Sequence, residues 1–412
     1  MTAVKSFSLS VIGAHLLIKC THKNFAARAL FCDSFRAFLL KQCVHDGFGL
    51  LRFKERLTGP EYAQREIKRF LAAKIDYVTE SFVVDAHKNP DGKYTVLTQS
   101  AAGMALYNCK AIILACGCRE RTSRQVFIHG QRPAGIFTAG TAQHFVNLQG
   151  KMPTKKCVIL GSGDIGLIMA RRLTLEGASV AGVYEIKDAP AGLTRNISQC
   201  LHDFGIPLQL STTVTEVFGT ERVEAVAVEK VDGQMNPIPG TREIIDCDAL
   251  ILSVGLLPEI ELAKMLDISI DPATKGPNVD QSLMTDSPGV FACGNVLHVN
   301  DLVDWVSVSG EDAGRNAAKY CSVPRQFSGQ AQLKYCKGDF LYAVPQYLDS
   351  TASEPFILYF RSLEDVKGKT ITLKSGEDIL FRKKYRRLVP SEMEAVTVEG
   401  LGNAADYTLE MQ

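Results

Sequence analysis

The 412-residue sequence predicts an α/β protein with two related α/β units and a smaller β-rich module near its C-terminal end. Three observations predict it. A strand-like run, Cys157-Val158-Ile159-Leu160, leads into Gly161-Ser162-Gly163-Asp164-Ile165-Gly166 and then into a helical run from Leu167 to Leu175. Asp248-Ala249-Leu250-Ile251-Leu252-Ser253-Val254-Gly255 repeats the form of Ala111-Ile112-Ile113-Leu114-Ala115-Cys116-Gly117, an internal echo that implies a duplicated architecture. After Val323-Pro324 the texture changes to short apolar runs separated by Pro, Gly and charged turns.

The first observation is a G-x-G-x-x-G in its proper strand-to-helix context. Gly161 makes the tight turn, Gly163 lets the backbone approach a pyrophosphate, and Gly166 lets helix and strand pack closely. The helix N-terminus, entered through Asp164 and Ile165, then faces the phosphates with free N–H groups. A second strand, Ser179 to Tyr184, ends in Glu185, about twenty residues past the last glycine, where a carboxylate suits a ribose 2′-hydroxyl and repels a 2′-phosphate. No Arg cluster follows Glu185, so NAD is favoured over NADP. With Gly255 at the end of the echoing strand, these residues form the candidate NAD set. A glycine-rich turn that holds no ligand is the alternative.

The elements follow in order. Ser8 to Ile12 reads as a first strand ending at Gly13, and Ala29 to Cys32 as a second. Tyr62, Ile67, Phe70 and Leu71 are spaced for a helix over 61–73, and Tyr94 to Gln99 alternates like a strand. Lys110 to Ala115 is nearly all apolar, as a parallel strand covered on both faces must be, and it stops at Gly117. Further strands are expected at Glu224 to Val231 and Ala249 to Val254, and a helix at Asp304 to Tyr320. In the C-terminal module, Leu341 to Val344, Phe356 to Phe360, Thr370 to Leu373 and Ala395 to Val398 read as strands. The basic cluster Arg382-Lys383-Lys384 with Arg386 and Arg387 reads as a solvated face, with docking as the alternative.

Size and composition set limits. This length fits two or three domains. A 46% hydrophobic and 22% charged content is that of a globular protein, and a net charge of +1 gives no reason to expect nucleic acid or an anionic membrane as partner. The twelve cysteines show no disulfide-scaffold rhythm and no C-x-x-C, which points to a reducing cytoplasm. No metal-ligand quartet stands out, and no apolar run is long enough for a membrane span. Met1 to Lys41 carries six Lys or Arg against one acid, Asp33, and five phenylalanines. Its composition resembles a transit peptide, and a damaged or mistranslated stretch accounts for it equally.

Thr285-Asp286-Ser287-Pro288-Gly289-Val290-Phe291-Ala292-Cys293-Gly294-Asn295 resembles the T-x-x-x-x-[IV]-[YF]-A-x-G-D segment of the pyridine nucleotide-disulfide oxidoreductase superfamily, flavoproteins with two dinucleotide sites. Gln42-Cys43-Val44-His45-Asp46-Gly47-Phe48-Gly49, Leu57-Thr58-Gly59-Pro60-Glu61-Tyr62, Gly117-Cys118-Arg119-Glu120-Arg121-Thr122 and Arg132-Pro133-Ala134-Gly135-Ile136-Phe137-Thr138-Ala139-Gly140 together resemble a bacterial group within it. That group is linked with glycerol-3-phosphate dehydrogenase-like flavoproteins and a small cysteine-rich companion; opine oxidase, hydrogen cyanide synthase and sarcosine oxidase subunits are more distant. The match is strong over about 42–320. It extends weakly through Val344-Pro345-Gln346, Leu358-Tyr359-Phe360-Arg361 and Pro390-Ser391-Glu392-Met393.

The resemblance implies two Rossmann-like domains, the NAD domain (146–275) inserted in an FAD domain (1–145 and 276–323), followed by a β-rich C-terminal domain (324–412). It implies FAD contacts at Gly13, Ala115, Gly117, Gly294, Asn295 and Val303, the last opening a helix whose N-terminus offers partial positive charge to a reduced flavin. It also implies NAD(H) and a partner flavoprotein dehydrogenase with a small cysteine-rich subunit.

Two departures stand out. Asn295 replaces the usual Asp, and an amide still hydrogen-bonds ribityl or phosphate groups. His15 and Ile18 stand where the first loop's second and third glycines belong, with side chains where a pyrophosphate and a strand must come close. A sequence lesion upstream of Lys41 and a diverged working loop both explain this, and the composition favours the lesion. Asp33 is a candidate ribose carboxylate.

Cys43 and His45 are the candidate catalytic pair, a thiol tuned by imidazole, against a role in shaping the pocket. Cys116 reads as a buried strand residue, and Cys118 has an electropositive setting beside Arg119 and Arg121. Arg119, Glu120 and Arg121 read as an ion-pair cluster, with a substrate clamp as the alternative. His298 either faces the flavin or is structural. The leading expectation is an NAD-linked FAD oxidoreductase without a redox C-x-x-C that passes electrons to a partner flavoprotein or small acceptor. The alternatives are a component of an amine, opine or sarcosine oxidase and a flavin-free nucleotide-binding remnant. Deleting the chain after Val323 is expected to abolish complex formation and leave nucleotide binding.

Overall fold

The structure is a computed structural model. It describes residues 3–12, 27–30, 38–327, 330–350, 354–401 and 406–412; Gly13, His15, Ile18 and Asp33 lie outside them. The chain divides into two compact units, Met1–Cys118 with Pro258–Gln412, and Arg119–Leu257.

The first unit is organised on the strand Gly103–Leu114. Along one side it pairs in parallel with Ala3–Ile12, and Ala27–Leu30 and Asp76–Val78 continue the parallel group outward. Its other side is divided. Gly103 to Cys109 pair antiparallel with Tyr94–Ser100, which pairs with Phe82–Lys88, whereas Ile112 to Leu114 pair in parallel with Val290–Ala292. Ala111, Ile112, Ile113 and Leu114 are all fully buried, the reason this stretch is apolar at successive positions without alternation.

Helix Gly59–Ala72 begins on a capping box: Thr58 accepts the Glu61 N–H, Glu61 accepts the Thr58 N–H, and Pro60 occupies the first turn. Gly59 has no substitute here, since a Cβ would lie 2.2 Å from the Leu40 carbonyl oxygen. The long helix Val303–Ser322 covers the sheet with Ala313 and Ala317, small residues that allow close approach.

The C-terminal segment forms a five-stranded and a three-stranded sheet with a core of its own, including Phe340, Leu358, Phe360, Leu373 and Leu409. It belongs to the first compact unit and shares its core. Along Phe356–Ser362, Leu358 and Phe360 face that core, while Tyr359 joins Ile112, Phe291 and Ala313 in the core of the first unit, as do Tyr342 and Val344. A two-residue period with both faces apolar is the mark of a strand buried on both sides. Arg325 seals the junction by pairing with Asp280, whose side chain is fully buried. The basic cluster lies on the strand Asp378–Lys384 at the edge of the five-stranded sheet, with Arg382, Lys383 and Lys384 exposed. Charge on an edge strand discourages pairing with another chain.

The second unit carries a five-stranded parallel sheet in the order Ile136–Thr138, Ala249–Leu252, Lys156–Leu160, Ser179–Tyr184, Leu208–Gln209. Cys157 and Ile159 face helices Ala139–Gln149 and Asp164–Leu175, whereas Val158 and Leu160 face an antiparallel layer of Thr212–Phe218, Ala225–Lys230 and Glu243–Asp246. Its boundaries fall earlier than 146 and 275. Ile136–Thr138 is already a strand of this sheet, and Ala263, Leu266 and Ile268 belong to the core of the first unit.

Candidate dinucleotide sites

In the second unit the turn after Lys156–Leu160 is shaped by steric necessity. Gly161 sits at φ +93°, and a Cβ there would lie 2.2 Å from the Ser253 carbonyl oxygen. A Cβ on Gly166 would lie 2.6 Å from Ser253 Cβ, and the Gly166 N–H donates to Ser253 Oγ at 3.0 Å. The close neighbour of both glycines is therefore the end of Ala249–Leu252, one strand over. Gly163, the residue before helix Asp164–Leu175, has extended backbone and no side chain to cap the helix. That leaves the N–H groups of Asp164 and Ile165 for an anion, the Gly166 N–H being taken by Ser253. Gly255, at φ +99°, ends the neighbouring strand, as Gly117 at φ +75° ends its counterpart in the first unit.

Glu185 is buried, and its carboxylate accepts from Ser162 N at 2.9 Å, Ser162 Oγ at 2.6 Å and Lys187 N at 3.2 Å. The acid at the end of Ser179–Tyr184 thus holds the glycine loop itself. The variable residues of the motif are equally committed. Ser162 Oγ accepts the Ala191 N–H at 2.8 Å, and Asp164 Oδ1 accepts Leu193 N at 2.9 Å and Asn196 Nδ2 at 2.7 Å. The loop 190–193, which the sequence reading missed, is clamped against the G-x-G-x-x-G turn. Its signal was Gly192, where a Cβ would meet Leu167 Cδ1 at 2.7 Å and Ser162 O at 2.8 Å. These residues fit a dinucleotide: a glycine turn bare of side chains, an uncapped helix end and a carboxylate at the second strand.

In the first unit, the adjacent strands Gly103–Leu114 and Val290–Ala292 end in register and deliver Ala115 and Gly117 beside Gly294 and Asn295. Gly294 has φ +67°, and its N–H donates to Ser309 Oγ at 3.0 Å, which ties the turn to the long helix. Asn295 Oδ1 accepts from Asn300 N at 3.0 Å and Asn300 Nδ2 at 3.3 Å. Its Nδ2 is therefore turned toward Cys118 Sγ, 3.5 Å away. Val303 opens the long helix without a side-chain cap, leaving its N-terminus suited to electron-rich ligand atoms. Within the described residues this side of the site fits a flavin, while Gly13 falls outside them.

A partly buried ionic network that the sequence did not reveal steadies the segment before this site. Arg52 pairs with Glu66 and, at 2.6 Å, with Glu311; Arg69 reaches Glu66 at 3.1 Å and Glu311 at 2.9 Å. Asp304, in the first turn of the long helix, accepts Gly49 N at 3.2 Å and Arg52 N at 3.0 Å, and Tyr62 OH bonds Ser307 Oγ at 2.7 Å.

The candidate pair does not form a tuned thiolate. Burial pushes the Cys43 thiol up to about 12, so it stays protonated near neutrality. His45 Nδ1 lies 3.3 Å from the Asp46 carbonyl, and its ring rests 5.0 Å from Phe48. Cys116 is half-buried, more open than a strand interior would leave it. Glu120 Oε1 accepts Gly140 N at 2.8 Å in the first turn of helix Ala139–Gln149, a helix-end contact.

His298 is fully buried, with ring centroids 4.9 Å from Tyr359 and 5.7 Å from Tyr342. Burial, then the charge of Arg361, lowers its pKa from 6.5 to about 3, against an opposing bond to the Val299 backbone. Below 6.5 the unfolded chain takes up a proton that the folded chain refuses. Stability is therefore full above that pH and is lost as pH falls toward 3. Urea unfolding at pH 7 and pH 5 is expected to differ by about 2 kcal/mol from this group, and His298→Phe should remove that part of the slope. An equal slope in the variant would assign the acid sensitivity elsewhere.

A family model described as pyridine nucleotide-disulphide oxidoreductase matches residues 24–313. An NADH oxidase of Methanocaldococcus jannaschii is 27% identical over 243 residues, which are 56% of this chain and 49% of that protein. An opine oxidase subunit of Agrobacterium tumefaciens is 21% identical over 255 residues, 58% of this chain and 50% of that protein. The chain thus spans about half the length of these curated relatives. The thioredoxin reductase of Lactococcus lactis, 17% identical, shares the fold with a TM-score of 0.62 over 77% of this chain and 99% of that one. Members of the matched family bind FAD and NAD(P)H. By a match over more than half its length, and with both turns in place, the chain belongs to the pyridine nucleotide-disulphide oxidoreductase family.

Proposed function

We propose that the protein is an FAD-dependent, NAD(H)-linked oxidoreductase that passes electrons between nicotinamide and a partner flavoprotein or small acceptor. The observation that carries this reading is the pair of matching turns at the ends of parallel strands, Gly161–Gly166 with Glu185 in one unit and Gly117 with Gly294-Asn295 in the other. When bound, NAD and FAD would supply hydride chemistry. The chain's own part is to bind and orient them. Gly161, Gly163 and Gly166 keep the phosphate approach clear, and Glu185 fixes the loop and presents a carboxylate that disfavours a 2′-phosphate, which supports NAD over NADP. In the first unit Asn295 and the start of the long helix orient the flavin, and no thiol pair takes part. The protonation of buried Cys43 supports that last point.

The match to the opine oxidase protein favours a second reading, one component of a larger oxidase assembly, and the partner flavoprotein and small cysteine-rich subunit belong to both. A reducing, cytoplasmic setting is supported by the twelve cysteines of the sequence, which show no disulfide-scaffold rhythm. The test is the visible spectrum of the purified protein near 450 nm, before and after NADH without oxygen. A flavin band bleached by NADH, and not by amines or opines, is the expected result. Bleaching by an opine alone would favour the oxidase reading, and a protein that stays colourless after incubation with FAD would overturn both.

A further inference from the structure

The turn from Gly294 to the long helix is held from outside the nucleotide fold. Arg361, on the strand Phe356–Ser362, donates to Asp301 Oδ1 at 2.6 Å and to the Pro390 carbonyl at 2.8 Å, with its guanidinium 6.0 Å from the Tyr342 ring centroid. The other Asp301 oxygen accepts the Met393 N–H at 2.6 Å. One carboxylate, two residues before Val303, therefore joins two segments of the C-terminal module to the approach of the long helix. Tyr359 continues the contact on both sides of that approach, meeting His298 at 4.9 Å and Trp305 edge-on at 6.1 Å.

The side chains of Arg361 and Asp301 are only 13% and 22% exposed. A pair so far withdrawn from water is a poor source of net stability, because desolvation offsets most of its attraction. What the planar guanidinium supplies is direction, since one of its donors goes to the Asp301 carboxylate and another to the Pro390 carbonyl, fixing the two segments relative to one another. The segment so fixed carries Gly294 and Asn295 and ends at the uncapped helix start.

We propose that the Arg361–Asp301 pair is a latch through which the C-terminal module sets the Gly294–Val303 turn and the start of the long helix, making Arg361 a positioning residue for flavin binding. The proposal rests on the reading of the first unit as the flavin unit. It explains why Leu358-Tyr359-Phe360-Arg361 and Pro390-Ser391-Glu392-Met393, far along the chain from the nucleotide segments, form one contact at Asp301.

The test uses the full-length chain with Arg361→Met, Arg361→Lys, and Arg361→Met combined with Asp301→Asn, which leaves no unpaired carboxylate. FAD and NADH dissociation constants are measured on each, with the accessibility to acrylamide of Trp305, the only tryptophan in the chain. In Arg361→Met and the double variant, FAD is expected to bind about tenfold more weakly, NADH to change by less than about twofold, and Trp305 to become more quenchable. Arg361→Lys, which keeps the charge and loses the fork, should fall between. Unchanged FAD affinity in both Met variants overturns the latch, as does a parallel loss of FAD, NADH and thermal stability in the double variant. If the wild-type chain itself binds no FAD, the flavin reading fails. The latch is then decided by Trp305 alone: greater quenching in the variants sustains it, and unchanged quenching overturns it.

Discussion

Truncation after Val323 is expected to unfold the first unit rather than release a dispensable module. The cut removes Tyr342, Val344 and Tyr359 from a core they share with Ile112, Phe291 and Ala313, and it takes Arg325 away from buried Asp280. Each large apolar side chain lost withdraws about 1.5–3 kcal/mol of burial, and a buried carboxylate left without its cation costs about 3–5 kcal/mol. Together these reach the whole stability of an ordinary domain, about 5–15 kcal/mol. The measurement is thermal unfolding by far-UV circular dichroism with sedimentation of the soluble fraction. Loss of the first unit's transition, with aggregation, is expected. A soluble chain melting as the wild type does would mean that these faces tolerate water and that the module is separable after all.

The second large effect is expected at Gly161. Gly161→Val places a branched side chain at φ +93° with its Cβ 2.2 Å from the Ser253 carbonyl oxygen, so the turn must move away from the neighbouring strand. Strain of this kind costs about 1–3 kcal/mol at the backbone alone, before any displacement of Glu185 from Ser162. Isothermal titration should show NADH affinity reduced by about two orders of magnitude or more, the equivalent of about 3 kcal/mol. FAD affinity should be kept. Retention of wild-type NADH affinity would move the nucleotide site away from this turn.

The elements that could be read from the sequence are those whose pattern is decided locally. Ser179–Tyr184 is found at the expected bounds, because an apolar run closed by a charged residue leaves few alternatives. Helix Gly59–Ala72 starts two residues before its expected position because the Thr58–Glu61 box and Pro60 fix the start. Asp378–Lys384 escaped notice because an edge strand ending in Arg-Lys-Lys satisfies no burial pattern. The network of Arg52, Glu66, Arg69 and Glu311 escaped it too, since its charges come from three segments up to 259 residues apart.

The sequence by itself determined the duplicated α/β plan, the glycine turn Gly161–Gly166 with Glu185 at its expected strand end, and the strand ends that carry Gly117 and Gly294. Periodicity and the conformational demands of glycine are properties of a few consecutive residues. Only the tertiary structure decided what those residues touch. It turned Glu185 onto Ser162, buried Cys43 as a protonated thiol, and made the C-terminal strands part of the first unit's core. Burial and partner choice depend on segments tens to hundreds of residues apart meeting at a few ångströms, and no local pattern encodes that distance.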